Sequence, residues 1–281
     1  MPQAAASKPK TTHKRLDGLT AKINQALERL LPKQGTAPKP LPEALRYCLF
    51  PGGKRYRPLL ALAAAEAVGG SAAAALPVAC AVELLHTYSL VHDDLPAMDN
   101  ADQRRGVPSC HRAYGEAYAI LIGDALLTLA FEVLSRMKHR QAGEIARVIS
   151  VAGGTSGLIG GQVLDLQAIS HSGSADEESI NAIALRKTAA LITASVEAGA
   201  LAGGANAQAL QRIRKFGQKL GLAFQMIDDC HDQDGMVAVL GKEGTRALAE
   251  RLIAQALAVV EPFGRRAETL RILTRWLQAT L

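Results

Sequence analysis

Four aspartates and two arginines lie within residues 91–106, which read VHDDLPAMDNADQRRG. They follow the apolar stretch AVELLHTYSLV, which is typical of a buried helix. Pro96 should end that helix close to Asp94, so Asp93 would lie at a helix C-terminus, where the helix dipole attracts cations. The turn that follows should bring Asp99 back beside Asp93. This pattern predicts a cation site.

A second acidic cluster lies in GLAFQMIDDCHDQDG. Asp228 and Asp232 are four residues apart and share one helix face, which Gly221 and Gln225 extend. Burying unpaired carboxylates is costly. Two such clusters at the ends of apolar helices therefore need bound cations or an open, water-filled cavity.

Mg²⁺ is the cation that this oxygen-only ligand set favours. It binds proteins through one or two carboxylates and takes its other ligands from water and substrate phosphate. A single aspartate string of this kind would be better explained as a solvent-exposed helix end. The presence of two strings favours the metal site.

Basic residues that could bind phosphate lie in FPGGKRYRPLL, residues 50–60. Lys54 and Arg57 are three apart and would share one face at the start of a helix. The glycine spacing, and the lack of Ser or Thr after the lysine, exclude a P-loop. A diphosphate could still bind to the lysine charge and the arginine fork. Taken alone, this pattern is also typical of a solvent-exposed loop.

The elements that position these residues are predicted to be helices. The chain has 281 residues, of which 48% are hydrophobic and only 4% aromatic, and strand-like alternation is hard to find. No long linker or fixed-period repeat divides it, so we predict one all-α domain. The helical runs are predicted at about 44–49, 58–68, 72–93, 112–137, 141–160, 176–204, 207–232 and 246–279.

The formal charge of +6 comes largely from the N-terminal end. Residues 1–15 contain Lys8, Lys10, Lys14 and Arg15 and no acid, which leaves +2 for the rest of the chain. This balance, without a basic stripe interleaved with aromatic residues, argues against nucleic-acid binding. We predict that residues 1–15 form a disordered basic tail.

Nothing in the sequence predicts secretion or stable membrane insertion. The N-terminus lacks the apolar core of a signal peptide, and the apolar run AAAALPVACAV stops at Glu83 after eleven residues. The four cysteines form no CxxC pair and indicate neither a disulfide framework nor a zinc site. We therefore expect a cytoplasmic protein.

Six strings are specific when taken together: GGKRYRP, LLHTYSLVHDDLPAMD, RRG, GGQVLDL, RKTAALI and FQMIDDCHD. In their order and spacing, the chain resembles the trans-isoprenyl diphosphate synthases, and farnesyl diphosphate synthases most closely, from about Leu16 to Leu281. The resemblance implies an all-α, single-domain isoprenoid synthase bundle around a deep central cavity. It also implies a homodimer in which each chain's two aspartate motifs face each other across that cavity.

The resemblance further implies a role for each matching residue. Asp93 and Asp99 would coordinate two Mg²⁺ and Asp228 a third, supported by Asp94, Asp229 and Asp232. The allylic diphosphate would contact Arg104, Lys187, Thr188 and Gln225. Isopentenyl diphosphate would contact Lys54, Arg57, His86 and Arg105, and Lys242 is a further expected substrate-binding residue. By itself, His86 on an apolar helix would more often be a core histidine.

The implied reaction is ionisation of the allylic diphosphate, followed by attack of the isopentenyl alkene on the carbocation. Three Mg²⁺, with Arg104 and Lys187, would neutralise the leaving diphosphate, and an apolar cavity would exclude water. Tyr88 lies five residues before Asp93, about 7.5 Å along a helix, with Ser89 beside it. An aromatic residue there resembles a cavity floor that stops elongation at farnesyl. Geranylgeranyl or geranyl diphosphate is the alternative product.

The chain departs from the family after DDCHDQDGMVAVLGK, where Lys242 is followed directly by EGTRALAERL. We expect that a lid segment of the family is missing near 242–243. Either the protein lacks this segment, or the segment is a mobile loop that the sequence omits, and we favour the loop. A true deletion would favour a catalytically impaired synthase subunit. A terpene cyclase is disfavoured, because it would not need a second diphosphate site at Lys54, Arg57 and His86.

Overall fold

The computed structural model of the chain describes residues 10–50, 52–170 and 177–281, and these are almost entirely helical. The helices are α1 (Lys10–Leu30), α2 (Leu41–Leu49), α3 (Tyr56–Ala67), α4 (Leu76–Asp93), α5 (Cys110–Tyr114), α6 (Glu116–Ser135), α7 (Ala142–Gly153), α8 (Leu158–Ser170), α9 (Glu177–Ile183), α10 (Ala190–Ala202), α11 (Ala207–Asp232), α12 (Met236–Val260) and α13 (Glu268–Gln278). A π-helical segment, Ala184–Ala189, joins α9 to α10, and a 3₁₀ segment, Glu261–Ala267, joins α12 to α13. The all-α prediction is confirmed.

Three helices form the interior of the bundle. α3, α4 and α10 are buried along most of their length, as expected of helices that are apolar on all sides. Small residues let α3 and α10 approach closely: a side chain added at Gly199 of α10 would overlap the backbone of Ala61 in α3. The remaining helices pack around this centre, and α4 lies between α3 and α6.

The described strands form one short hairpin, which the sequence did not predict. β1 (Gln103–Arg104) pairs antiparallel with β2 (Val107–Pro108). Its two-residue turn, Arg105 and Gly106, has φ of 55° and 80°. Positive φ at both central residues is the geometry of a tight hairpin turn, which favours glycine at the second position.

Glycines account for most differences between the predicted and observed helices. The predicted run 112–137 is divided at Gly115, which has φ of 87° and separates α5 from α6. The run 141–160 ends as α7 at Gly153, and α8 begins at Leu158. Part of the run 176–204 is π-helical, and its first residue lies outside the described residues.

The prediction of a disordered tail over residues 1–15 is wrong for residues 10–15. α1 begins at Lys10, so residues 10–15 are helical, and residues 1–9 lie outside the described part of the chain. Arg15 is fixed by tertiary contacts, because it donates hydrogen bonds to Glu66 (2.8 Å) and Thr269 (3.1 Å). The sequence did not predict these partners because they lie far along the chain.

The predicted missing segment falls beside a break in α12, because the backbone of Gly241 is not helical (φ 70°, ψ 165°) and divides α12 into two helical parts. Lys242 and Glu243 are consecutive residues of α12, just after this break. α11 and α12 are joined by residues 233–235 alone. Whether a longer family segment is absent from this chain stays a prediction.

One described helix, α6, satisfies the length and composition of a membrane span, with a mean hydropathy of 1.8. The sequence prediction that nothing is long enough for a membrane span, which considered the eleven-residue run before Glu83, is therefore wrong. Core helices of soluble proteins satisfy the same criteria, and α6 packs against α4. This helix alone is thus weak evidence for membrane insertion.

Candidate active site

The first aspartate motif closes a turn at the end of α4. The helix ends at Asp93, as predicted, and the backbone N–H of Asp99 donates to the carbonyl of Asp93 at 2.9 Å. Ala101 makes a similar bond to the carbonyl of Asp94 at 3.2 Å. The chain therefore folds back, and the Asp93 and Asp99 backbones are brought together as expected.

Asp94 holds Arg104. The Asp94 carboxylate is 2% exposed and accepts hydrogen bonds from Arg104 Nε (3.0 Å) and Nη2 (2.5 Å). This charge-assisted pair raises the pKa of Arg104. Arg104 belongs to β1, so its ion pair with Asp94 holds the hairpin against the end of α4.

A cavity of about 340 Å³ unites the second aspartate motif with the predicted isopentenyl diphosphate residues. Asp228 of α11 lines the same cavity as all four of those residues, which come from α3, its preceding loop, α4 and the hairpin. These are Lys54, Arg57, His86 and Arg105. Lys54 precedes α3 rather than sharing a helix turn with Arg57, contrary to the sequence prediction.

Arg57 is a desolvated cation in this cavity. Burial lowers its pKa, and its Nη1 lies 3.4 Å from Nε2 of His86. Its guanidinium lies 5.6 Å from the ring centroid of Phe224. Within the described residues, the buried Nε of Arg57 has no hydrogen-bond partner. An unsatisfied cationic donor in a cavity indicates an anion-binding site.

His86 is held neutral. Burial, followed by the charges of Arg57 and Arg105, lowers its pKa well below the ordinary value. A neutral imidazole can donate one hydrogen bond and accept another. It is therefore suited to orient a polar ligand without adding charge.

A buried ion pair beneath these residues was missed by the sequence analysis. Arg55 Nη1 lies 2.5 Å from Glu83 Oε1, and both side chains are 2% exposed. Arg55 also donates to Asn24 and to the carbonyl of Leu49. Glu83 lies 4.0 Å from Arg105 as well, and so positions that arginine. The sequence did contain a signal for this pair. Glu83 is an acid within the apolar run of α4, and it follows the cluster KRYR at residues 54–57.

Burial raises the pKa of one aspartate in each motif. It raises the pKa of Asp93 to about 6, against the opposing charge of Lys187. It also raises the pKa of Asp228 to about 6, against the opposing charge of Arg57. Asp232 is exposed at the end of α11. Both Asp93 and Asp228 thus lack full compensation for a negative charge.

Asp229 supports the turn between α11 and α12. Its buried carboxylate accepts hydrogen bonds from Gln225 Nε2 (2.8 Å) and from the backbone N–H of Met236 (2.9 Å). Gln225 in turn accepts from Thr188 Oγ1 at 2.6 Å. The predicted pair Thr188 and Gln225 is therefore brought together. Asp229 therefore links α11 to the start of α12.

Lys187 projects from the π-helical segment and is paired. Its Nζ lies 2.5 Å from Asp165 Oδ2 of α8, and both side chains are 30% exposed. A side chain at Gly161 would overlap the backbone of Lys187, so α8 and this segment are in close contact. Asp165 belongs to the string GGQVLDL but was not singled out from the sequence. Such π-helical turns are frequent at functional sites.

The remaining predicted residues are the chain-length residues, which are buried, and Lys242, which is exposed. Tyr88 and Ser89 are both 6% exposed within α4. Lys242 is exposed on α12 and is not among the residues that line the 340 Å³ cavity. The predicted substrate contact of Lys242 therefore has no support in this geometry.

The donor set fits Mg²⁺ bound jointly by protein and substrate. Among residues 10–50, 52–170 and 177–281, no three His, Cys, Asp or Glu side chains converge on one metal position. Mg²⁺ is commonly held by one or two carboxylates together with phosphate and water. Asp93, Asp99 and Asp228 could supply the carboxylates, with substrate diphosphate completing the shell.

Comparison with known proteins identifies the chain's relatives. The sequence profile of the polyprenyl synthetase family matches residues 38–260. The chain belongs to the polyprenyl synthetase family. The matched range contains all six strings that the sequence analysis identified.

Two of the curated relatives come from Arabidopsis thaliana. The chain is 43% identical over 238 residues to heterodimeric geranylgeranyl pyrophosphate synthase large subunit 1, covering 82% of this chain and 64% of that protein. It is 43% identical over 260 residues to geranylgeranyl pyrophosphate synthase 9, covering 89% and 71%. The chain thus spans about two thirds of these relatives. Both are named as chloroplastic, which contradicts the cytoplasmic location expected from the sequence.

Solved structures share the fold over nearly the whole chain. An FPP/GFPP synthase from Zymomonas mobilis has a TM-score of 0.90 and 38% identity, covering 95% of this chain and 98% of that one. A geranyltransferase from Legionella pneumophila has a TM-score of 0.89 and 38% identity, covering 96% of each. The single-domain isoprenoid synthase bundle is therefore confirmed.

Proposed function

We propose that this polyprenyl synthetase joins isopentenyl diphosphate head-to-tail to an allylic diphosphate. The observation that carries the proposal is the shared cavity in which Asp228 faces Lys54, Arg57, His86 and Arg105. A cavity of about 340 Å³ is large enough for a small ligand. Its cations provide the second diphosphate site that distinguishes chain elongation from cyclisation.

The isopentenyl diphosphate would be bound by the cations of this cavity. Arg57, with its unsatisfied Nε, and Arg105 offer forked donors to the diphosphate oxygens. Lys54, whose Nζ lies 5.6 Å from the ring centroid of Trp276, adds a point charge. Neutral His86 would orient the same diphosphate. Glu83, which also lines this cavity, would keep Arg105 in place.

The allylic diphosphate would lie between the two aspartate motifs. When bound there, Mg²⁺ would act as a Lewis acid that stabilises the leaving diphosphate. Asp93, Asp99 and Asp228 would hold the metal. Arg104 would donate to diphosphate oxygens, and its pairing with Asp94 would keep it oriented before the substrate arrives.

Lys187 would contribute a positive charge to diphosphate binding, and Asp165 pairs with that charge in the unliganded protein. Its ammonium is paired with Asp165 and also interacts with Asp93. An arriving diphosphate would compete with Asp165 for that ammonium. Thr188 and Gln225 would border the allylic chain next to it.

Two candidate products, which differ in chain length, remain for this reaction. The names of the curated relatives support geranylgeranyl diphosphate better than the farnesyl diphosphate expected from the sequence. Farnesyl diphosphate is kept as the second candidate because the buried ring of Tyr88 lies one to two turns below Asp93 on α4. Tyr88 and Ser89 are the proposed chain-length residues.

We also propose that residues 16–281 act as a homodimer. The support is on α6, where the neighbouring side chains of Tyr118 and Leu121, three residues apart, are 47% and 57% exposed, and Ile120 is 47% exposed. Large exposed apolar side chains that lie together favour a protein interface. Sedimentation velocity of the purified chain would show a dimer, and a monomer at micromolar concentration would contradict this.

The function is tested by incubating the protein with labelled isopentenyl diphosphate and dimethylallyl, geranyl or farnesyl diphosphate, with Mg²⁺ or EDTA. A Mg²⁺-dependent, elongated product is expected, and its chain length decides between the two candidates. Consumption of the allylic substrate alone would indicate cyclisation. A folded protein that forms no product would contradict the proposal and favour an impaired subunit.

A further inference from the structure

Tyr88 does not stand alone in α4. His92, one helix turn nearer the aspartate motif, packs its ring edge-to-face against that of Tyr88, with centroids 5.3 Å apart and an interplanar angle of 84°. Edge-to-face contact is a favoured geometry for aromatic pairs. The imidazole thus limits the rotation of the tyrosine ring.

The imidazole of His92 packs against α6. The Nε2 of His92 lies 3.0 Å from the carbonyl oxygen of Ile120, so the Nε2–H donates to that carbonyl. A methyl group built on Gly123 would overlap the imidazole. Gly123 therefore leaves a notch in α6 into which the ring of His92 fits.

We propose that His92 and Gly123 are positioning residues for chain length. The notch at Gly123 admits the imidazole, the Ile120 carbonyl fixes it, and the imidazole holds the Tyr88 ring as the floor of the elongation cavity. Neither residue contacts the reacting atoms. This inference rests on the proposed prenyl transfer and assigns the floor to contacts between α4 and α6, rather than to Tyr88 alone.

The test is the product distribution of variants, measured by chromatography against prenyl alcohol standards after dephosphorylation. His92→Ala removes the support, so the longest major product should gain at least one isoprenyl unit over the wild type. Tyr88→Ala gives the length reached when the floor itself is absent. Because His92 adjoins Asp93, long incubations at high enzyme concentration should be used to collect product from a slow variant.

A double-variant comparison separates this mechanism from general damage. Gly123→Ala should also lengthen the product, because its methyl group displaces the imidazole. In the His92→Ala background that methyl has no ring to displace, so the double variant should match His92→Ala alone. Gly18→Ala is the matched control, since a side chain at Gly18 in α1 meets no atom within 4 Å.

Two results would overturn the inference while leaving the proposed function intact. One is a wild-type product length in both His92→Ala and Gly123→Ala. The other is a double variant whose product shift equals the sum of two independent shifts. A wild-type protein without any elongated product would instead contradict the proposed function itself.

Discussion

Replacing Asp228 with asparagine should stabilise the metal-free protein while impairing the reaction. Burial raises the pKa of Asp228 from 3.8 to about 6. A shift of that size corresponds to about 3 kcal/mol of disfavoured ionisation in the folded state. Because part of the carboxylate is exposed, we expect the neutral amide to recover about 1–3 kcal/mol at pH 7.5.

The sign of the pH dependence follows from the raised pKa. The folded chain binds this proton more tightly than the unfolded chain, so stability falls as pH rises from about 4 to 6 and stays low above that. The gain from Asp228→Asn should therefore be largest above pH 6 and should shrink toward pH 4.

Thermal unfolding in EDTA measures this effect. The melting temperature of Asp228→Asn should rise by about 2–8 °C at pH 7.5. Asp17→Asn, at an exposed site in α1, should change stability by less than about 0.5 kcal/mol. A destabilised Asp228→Asn, or a gain that is the same at pH 4 and pH 7.5, would refute the electrostatic reasoning.

Three further substitutions test the packing that positions the site. Glu83→Gln breaks the buried pair with Arg55 and should cost about 3–5 kcal/mol, measured by urea denaturation. Gly199→Ala forces α10 away from α3 and should lower the melting temperature by several degrees; an unchanged value would contradict the close packing. Asn206→Ala removes the cap that accepts from Ala209 at the start of α11 and should cost about 0.5–2 kcal/mol.

The parts of the site that local sequence determines were predicted well. Proline after the apolar run correctly predicted the end of α4 at Asp93 and the return of Asp99. The four-residue spacing correctly placed Asp228 and Asp232 on one helix. These predictions needed only helix periodicity and the constraint that proline imposes on the residue before it.

The parts that depend on tertiary partners were not predictable from local pattern. Asp94 and Asp229 look equivalent to their neighbours in the sequence, yet one pairs with Arg104 and the other supports the α11–α12 turn. Arg55 looks like Lys54 in the sequence, yet it has a left-handed backbone, with φ of 51°, and its side chain pairs with the buried Glu83. Their roles arise from contacts that sequence spacing does not encode.

The similarity to a known family extends the sequence analysis and also corrects it. The order of the six strings predicted the fold and the family, and both are confirmed. The expected cytoplasmic location is wrong, and the length of the product stays a prediction.

The most direct test is the rate of Mg²⁺-dependent isopentenyl transfer by Asp93→Ala and Asp228→Ala, measured beside Asp102→Ala. Asp102 lies in the same loop as the first motif, but its side chain is 77% exposed and paired with Arg112. If Asp93 and Asp228 hold the metal against the diphosphate, each variant should lose about a hundredfold or more in rate, and Asp102→Ala should stay near the wild type. A near-normal rate in Asp93→Ala or Asp228→Ala would contradict the assignment of the site.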